Sequence, residues 1–343
     1  MTLTQTAALT KKAMWAFAAF LLTCAIIFVS YKIYYNYYYL PHLPKKVELP
    51  DTKFGLLPSL NLPVATNSAS SSAYNYSLDT QTGSLPNNLP KIIKVFFVPQ
   101  LGTTLLAPDR VQNLAEQLGF LNGPEVVGDT QYHFTDQNGG KLTIDLNSGN
   151  FSFDRPATDS ATLTDQTLGD QNQLVNDFKN YLGNKGLASD QLGGKTLVTY
   201  DSGTAEQSTQ ANVSIWPSDL DSGKGKLPVV TPDANTALVT TTVTKSPIEN
   251  YHYIHMRYIF WKPDPDSAST YPLRSVAEAY QELQNGNGYI SQAPPSNNAS
   301  IVQVYLAYLE TENYSPYIQP VYVFSGPNFT AYVPAIDPNY IAH

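Results

Sequence analysis

The run Ala13 to Tyr31, AMWAFAAFLLTCAIIFVSY, is apolar throughout and carries no charge, and nothing like it recurs along the chain. A helix of that length crosses the hydrocarbon core of a bilayer. Trp15 lies near one end, and Tyr31, Tyr34, Tyr35, Tyr37, Tyr38 and Tyr39 crowd the other, as interfacial aromatics do. The pattern predicts a transmembrane anchor at 13–31 behind a short tail at 1–12. No small-residue cleavage site follows the run, so it reads as uncleaved. Leu21-Leu22-Thr23-Cys24 has the outline of a lipobox, yet apolar residues continue past Cys24, where a lipoprotein turns polar. Ala16, Ala19 and Thr23 give the helix a small-residue face suited to packing against another helix.

Residues 32–73 are rich in Tyr, Pro, Leu and Ser and read as a stalk. The alternative is an arm packed along the following domain through Phe54, Leu56, Leu57 and Leu60. Three later stretches repeat apolar residues at helical spacing. Pro108 to Leu118 carries Val111, Leu114, Ala115 and Leu118 and stops at Gly119. Asp170 to Leu182 carries Leu174, Phe178, Tyr181 and Leu182 before Gly183. The third opens with the capping-box form Ser275-Val276-Ala277-Glu278 and ends at Gly286. Each apolar stripe is narrow, so each helix is expected to cover a sheet on one side and face water on the other.

Strand patterns fill the intervals. Tyr132 to Leu146 reads as a hairpin around Asp136-Gln137-Asn138-Gly139-Gly140, and Asn150 to Asp154 extends it. The strongest later strands are Tyr251 to Trp261, Ile301 to Leu309, Tyr317 to Phe324 and Phe329 to Val333, with Ile301 to Leu309 expected at the centre of its sheet. The order strand, helix, hairpin occurs at 91–154 and again at 251–333. The expected fold is α+β: one spanning helix, then two related lobes of antiparallel sheet with amphipathic helices on one face. The first lobe is drawn at 74–170, a connecting helix and strands at 171–250, and the second lobe at 251–343.

Charge changes the picture on one point. All 28 acidic residues lie after Lys46, so residues 47–343 hold 15 Lys and Arg against 28 Asp and Glu, a net of −13. Such a domain lacks the basic footprint of a nucleic-acid binder. It contains no cysteine, the one in the chain being Cys24 in the apolar run. An exported domain that does without disulfides fits this composition, with the N-terminus cytoplasmic and the C-terminal domain outside.

Chemistry is harder to find. His252 and His255 are three apart in an expected strand, which puts them on opposite faces and argues against a shared metal. Asp219, Asp221 and Gly223 open like a calcium loop, but the closing position falls on Val230. There is no G-x-S-x-G, P-loop or dinucleotide fingerprint, so no catalytic residue, cofactor or metal is assigned. One surface stands out. Tyr251, Tyr253, His255, Arg257 and Trp261 share one face of the expected strand, an aromatic and cationic set that suits a peptide or a sugar.

The segment YPLRSVAEAYQELQNGNGYI (271–290), followed by VQVYLAYLE and YIQPVYVFSG, resembles the membrane-distal lobes of YycH/YycI-type regulators and, more loosely, PepSY-like domains. LAEQLGF followed by YHFTDQNGGKLTIDLNSGNFSF is similar in arrangement. The resemblance implies a non-catalytic, membrane-anchored extracytoplasmic protein that contacts a membrane sensor kinase and tunes envelope signalling. It carries no site residue over. The expected partners are thus the membrane and an envelope protein, with a cell-wall glycan or a motif-less envelope enzyme as the alternative.

Overall fold

The computed structural model describes residues 3–40, 49–60, 62–63, 70–100, 102, 104–156, 167–187 and 189–342. His42, His343, and residues 41–48 and 64–69 of the expected stalk lie outside them. The chain forms two compact units, Met1–Leu49 and Pro50–His343.

The first unit is a helix, α1 (Leu3–Tyr34), which continues as a π-helical turn over Tyr35–Tyr39. It contains no Gly or Pro, so nothing in the backbone stops it at Tyr31. It is longer at both ends than the apolar run. Stacked rings reinforce its last turns: Tyr31 on Tyr35 at 6.0 Å, Tyr34 on Tyr38 at 5.3 Å and Tyr35 on Tyr39 at 5.4 Å. Lys11–Tyr39 is the one stretch among the described residues long and apolar enough to cross a membrane.

The second unit is a mixed α+β domain. In chain order it opens with β1 (Asn75–Leu78), β2 (Ile92–Phe97) and α2 (Ala107–Gln117). Next come β3 (Asn122–Val127), β4 (Gln131–Thr135), β5 (Lys141–Asp145), β6 (Phe151–Asp154) and α3 (Gln171–Asn184). They are followed by β7 (Thr196–Tyr200), β8 (Gln210–Ile215) and three two-residue strands, β9 (Leu220–Asp221), β10 (Lys226–Leu227) and β11 (Val229–Val230). Then come β12 (Val239–Thr244), the single turn α4 (Glu249–His252), β13 (Tyr253–Tyr258) and β14 (Ala268–Pro272). The chain ends through α5 (Val276–Gln284), β15 (Tyr289–Gln292), β16 (Asn298–Ile301), β17 (Gln303–Leu309), β18 (Tyr317–Gly326) and β19 (Phe329–Pro334).

Local chemistry explains the helix ends. Asp170 caps α3 by accepting from the Gln173 amide at 2.9 Å. Ser275 and Glu278 close the expected capping box on α5. Gly119 follows α2 at φ +86°, a backbone that L side chains rarely adopt. Helix α3 runs through Gly183, and its stop is instead Gly186, at φ +71°.

The first sheet has eight antiparallel strands in the order β3-β4-β5-β6-β13-β12-β8-β7. Helices α2 and α3 cover one face. Val111, Ala115, Leu174, Phe178 and Leu182 from the helices join Phe134, Ile144, Phe153, Val213 and Met256 from the strands in one buried core. Each helix leads a four-stranded meander, and the two meanders meet through their last strands, β6 and β13.

The second sheet follows β11-β17-β18-β19-β15, with β2 joining β18 to β14. Helix α5 packs Ala279 and Leu283 against Ile301, Phe324, Phe329 and Val333. Its most buried strand is β18, paired with β17, β19 and β2, whereas β17 has only the short β11 on its far side. The expected Ile301–Leu309 strand is two strands, β16 and β17.

Sheet membership cuts across the divisions expected from chain order. β2, drawn in the first lobe, belongs to the second sheet, and β13, drawn in the second, closes the first. Among the described residues, the helix-plus-meander repeat lies inside the first sheet. Such pairings span long sequence separations, and local apolar patterns do not encode them.

Residues 50–60 take the packed-arm alternative rather than a free stalk. Leu57 is fully buried and bridges Ile341, and Phe54 lies 4.8 Å from the Tyr317 ring. Asp51 accepts from Ser269 Oγ and from the Thr270 amide, both at 2.6 Å.

Candidate functional site

With both helices on one face of the first sheet, its other face is polar. Strand register aligns the side chains in rows. One row reads His133, Thr143, Ser152, Arg257, Thr240 and Ser214. The next reads Thr135, Lys141, Asp154, His255, Thr242 and Asn212. The rows cross six strands, about 24 Å at the usual strand spacing. Hydrogen bonds link neighbours within them: Thr242 donates to Asn212 Oδ1 at 2.7 Å, and Ser214 and Thr240 hydroxyls meet at 3.1 Å. His255 Nδ1 lies against Asp154.

The structure divides the residues expected on this face. His255 and Arg257 are on it. Tyr253 is not: a register shift opposite Thr242 and Val243 leaves both Tyr253 and Ile254 buried, and Tyr253 packs 4.3 Å from the Tyr181 ring in the core. Tyr251 lies in α4, where its hydroxyl accepts from Asn138 Nδ2 at 3.3 Å. Strand β13 begins two residues later than expected because Glu249 to His252 form a helical turn. It ends at Tyr258, so Trp261 follows the strand on the segment that leads toward the second sheet.

At that end the polar face deepens into a groove of about 330 Å³. Trp261 and Tyr314 form an aromatic wall, their rings 5.5 Å apart and edge to face. The indole N–H donates to the Thr311 carbonyl at 2.7 Å, which fixes the ring. Arg257 pairs with Glu312 at 2.9 Å. Thr143, Asp145 and Asn150 line the floor. Asn150 is buried, and its Oδ1 accepts from the Phe260 amide at 3.1 Å. Its Nδ2 has no partner among the described residues, and an unpaired buried donor is costly. Asp145 is occupied in its own turn, accepting from Ser148 N and Oγ at 2.8 and 2.7 Å.

Asn150, Asp145 and Tyr314 are absent from the set expected from sequence. The first two lie at a hairpin end and Tyr314 in a loop, and only strand register and the crossing of the chain bring them to Trp261. Among the described residues, no three His, Cys, Asp or Glu side chains are grouped to hold a metal. His252 ends α4 away from His255. Burial lowers its imidazole, partly offset by a contact of its Nδ1 with the Ser246 carbonyl at 3.0 Å.

On α1, Trp15, Ala16, Ala19, Thr23, Tyr31 and Tyr34 are all exposed, as is Tyr35 in the π-helical turn. Ala16, Ala19 and Thr23 share one face by spacing, and the Thr23 hydroxyl donates to the Ala19 carbonyl at 2.8 Å.

No family model and no curated protein matches the chain. Among solved structures, an uncharacterized protein from Eubacterium rectale ATCC 33656 is similar over 75% of this chain and 85% of its own, at 11% identity and a TM-score of 0.35.

Proposed function

We propose that the protein is a non-catalytic, membrane-anchored binding module. In this reading the apolar helix stays uncleaved and holds the α+β domain outside the membrane, with Lys11 and Lys12 on the cytoplasmic side. The polar face of the first sheet receives an extended segment of a partner protein. The observation that carries it is the pair of polar rows across the helix-free face. At about 24 Å they match some seven residues of extended chain rather than one small ligand. Positioning near a membrane sensor or other envelope machinery, as the YycH/YycI resemblance implies, would follow from the anchor's high local concentration.

The test is a photo-crosslinking residue at Ser152, on that face, against one at Gln112, on the exposed side of α2. The expected result is a partner captured from Ser152 only and lost on Arg257→Glu. Equal capture from both positions, or none from Ser152, overturns the reading.

A second reading, a glycan ligand, is favoured by the Trp261–Tyr314 wall beside the unpartnered Asn150 amide, since sugars stack on such rings and accept from such donors. It requires that wall fragments bind the full chain in calorimetry and that Trp261→Ala weakens them.

A further inference from the structure

On the other side of Trp261 lies a cavity of about 550 Å³ with a different lining. Pro217, Leu220, Val229, Phe260, Trp261 and Ile318 give it apolar walls. One ionisable group reaches it from the interior. Glu310 follows the last residue of β17 and is 1% exposed. Its Oε1 accepts the Trp261 amide at 3.0 Å, while its Oε2 has no hydrogen-bond partner among the described residues. Burial pushes this carboxyl up to about 8, against which the Trp261 amide is a smaller, opposing effect. The other charged side chains lining the cavity are Asp190 and Lys262, both exposed.

A buried carboxyl with one oxygen unused, beside a mostly apolar cavity, is costly for folding unless something else uses it. Three features restrict what that can be. The single free oxygen matches a ligand with one N–H donor. The rings of Trp261 and Phe260 suit alkyl groups bearing partial positive charge. The domain's net charge of −13 attracts cations and repels anions. Burial favours the protonated carboxyl, so a cation that pairs with Glu310 must displace its proton.

We propose that this cavity binds a small organic cation, a protonated tertiary amine with apolar substituents. Its one N–H bonds Glu310 Oε2 and its alkyl groups lie against Trp261 and Phe260. Binding ionises Glu310, and the carboxyl proton leaves to solvent. The cavity is separate from the groove proposed above for a partner, so either reading stands if the other fails.

The experiment is calorimetry of the full chain in lipid nanodiscs, with empty nanodiscs as the blank. The probes are N,N-dimethylbenzylamine and its neutral analogue benzyl methyl ether, titrated at pH 7 in two buffers of different ionisation enthalpy. The amine is expected to bind more tightly than the ether and to release protons on binding. Glu310→Gln keeps the acceptor for the Trp261 amide. It should weaken the amine by about tenfold or more, abolish proton release and leave the ether unchanged. Leu220→Trp, which fills the cavity and leaves Glu310 in place, should weaken both probes. The proposal is overturned if the amine does not bind, if the ether binds as tightly, if no proton is released, or if Glu310→Gln binds the amine as wild type does. The proton count is taken on the wild-type chain and stands whether or not a variant folds.

Discussion

Arg155 shows how much a single side chain can organise. Its guanidinium lies between the rings of Phe120 and Phe153, 4.4 and 4.6 Å from their centroids, and pairs with Asp136 at 3.2 Å. It also donates to the carbonyls of Leu118 and Tyr253, tying the end of α2 to the start of β13. Both charged side chains are almost wholly buried. Removing one partner strands the other, so Arg155→Ala should cost about 3–5 kcal/mol, whereas Arg155→Lys, which keeps a cation for Asp136 but not the paired carbonyl bonds, should recover only part of it. Denaturant unfolding measures both, and an unchanged midpoint for Arg155→Ala would contradict the account. From sequence, Asp136 is legible as a turn residue. Its Oδ1 does accept from Asn138 N and Gly140 N at 2.8 and 2.7 Å. Its partnership with Arg155 is not legible, because nothing local marks a pair 19 residues apart. Glu310 left one faint signal, an acid closing the otherwise apolar run VYLAYL.

Among elements, the helices were the most legible. Their stripes, caps and stops are all local, and α2, α3 and α5 fall within two residues of the expected ends. Strands with strong alternation were found as well. β3 was not, because Asn-Gly-Pro reads as a breaker and all six of its residues are exposed. In β13 the alternation expected from sequence fails at the start, since a bulge reverses it without a sequence mark. The sequence leaves the 50–60 arm between two readings; fully buried Leu57 seats it, and Asp51 ties down its start. Burial raises its carboxyl, but hydrogen bonds from Ser269, Thr270 and Lys53 outweigh that and bring it from 3.8 to about 2. The folded value is depressed, so the arm's docking is fully supported above about pH 4 and weakens as pH falls toward 2. Amide exchange over 50–60, corrected for intrinsic rates, should show that loss between pH 4 and 2. Asp51→Asn should reduce protection already at pH 4 and flatten the dependence. A wild-type arm equally protected at both pH values would refute it.

At the scale of the whole molecule, two units with different chemistry share one chain. The first is an exposed apolar helix with a ladder of tyrosines, the second an acidic domain built on two sheets. Composition separates an apolar anchor from an acidic remainder, but the boundary lies at 49/50, inside the expected stalk of 32–73. The division within the domain was not legible, because strands exchange between sheets over long separations. If partner recognition runs through the bilayer, it resides in residues 13–31. Replacing them with an unrelated spanning helix should then abolish crosslinked capture of a membrane partner in intact cells, and Ala19→Leu should weaken it. Capture that survives both changes would move recognition to the folded domain.

Trp261 gives the molecule one more property. The residue lines both the polar groove and the mostly apolar cavity, its backbone amide is held by Glu310, and the amide before it is held by Asn150. A guest on one side that shifts its ring changes the room on the other. Thermodynamic linkage then requires the effect to be mutual: the factor by which the first guest alters affinity for the second is the factor by which the second alters affinity for the first.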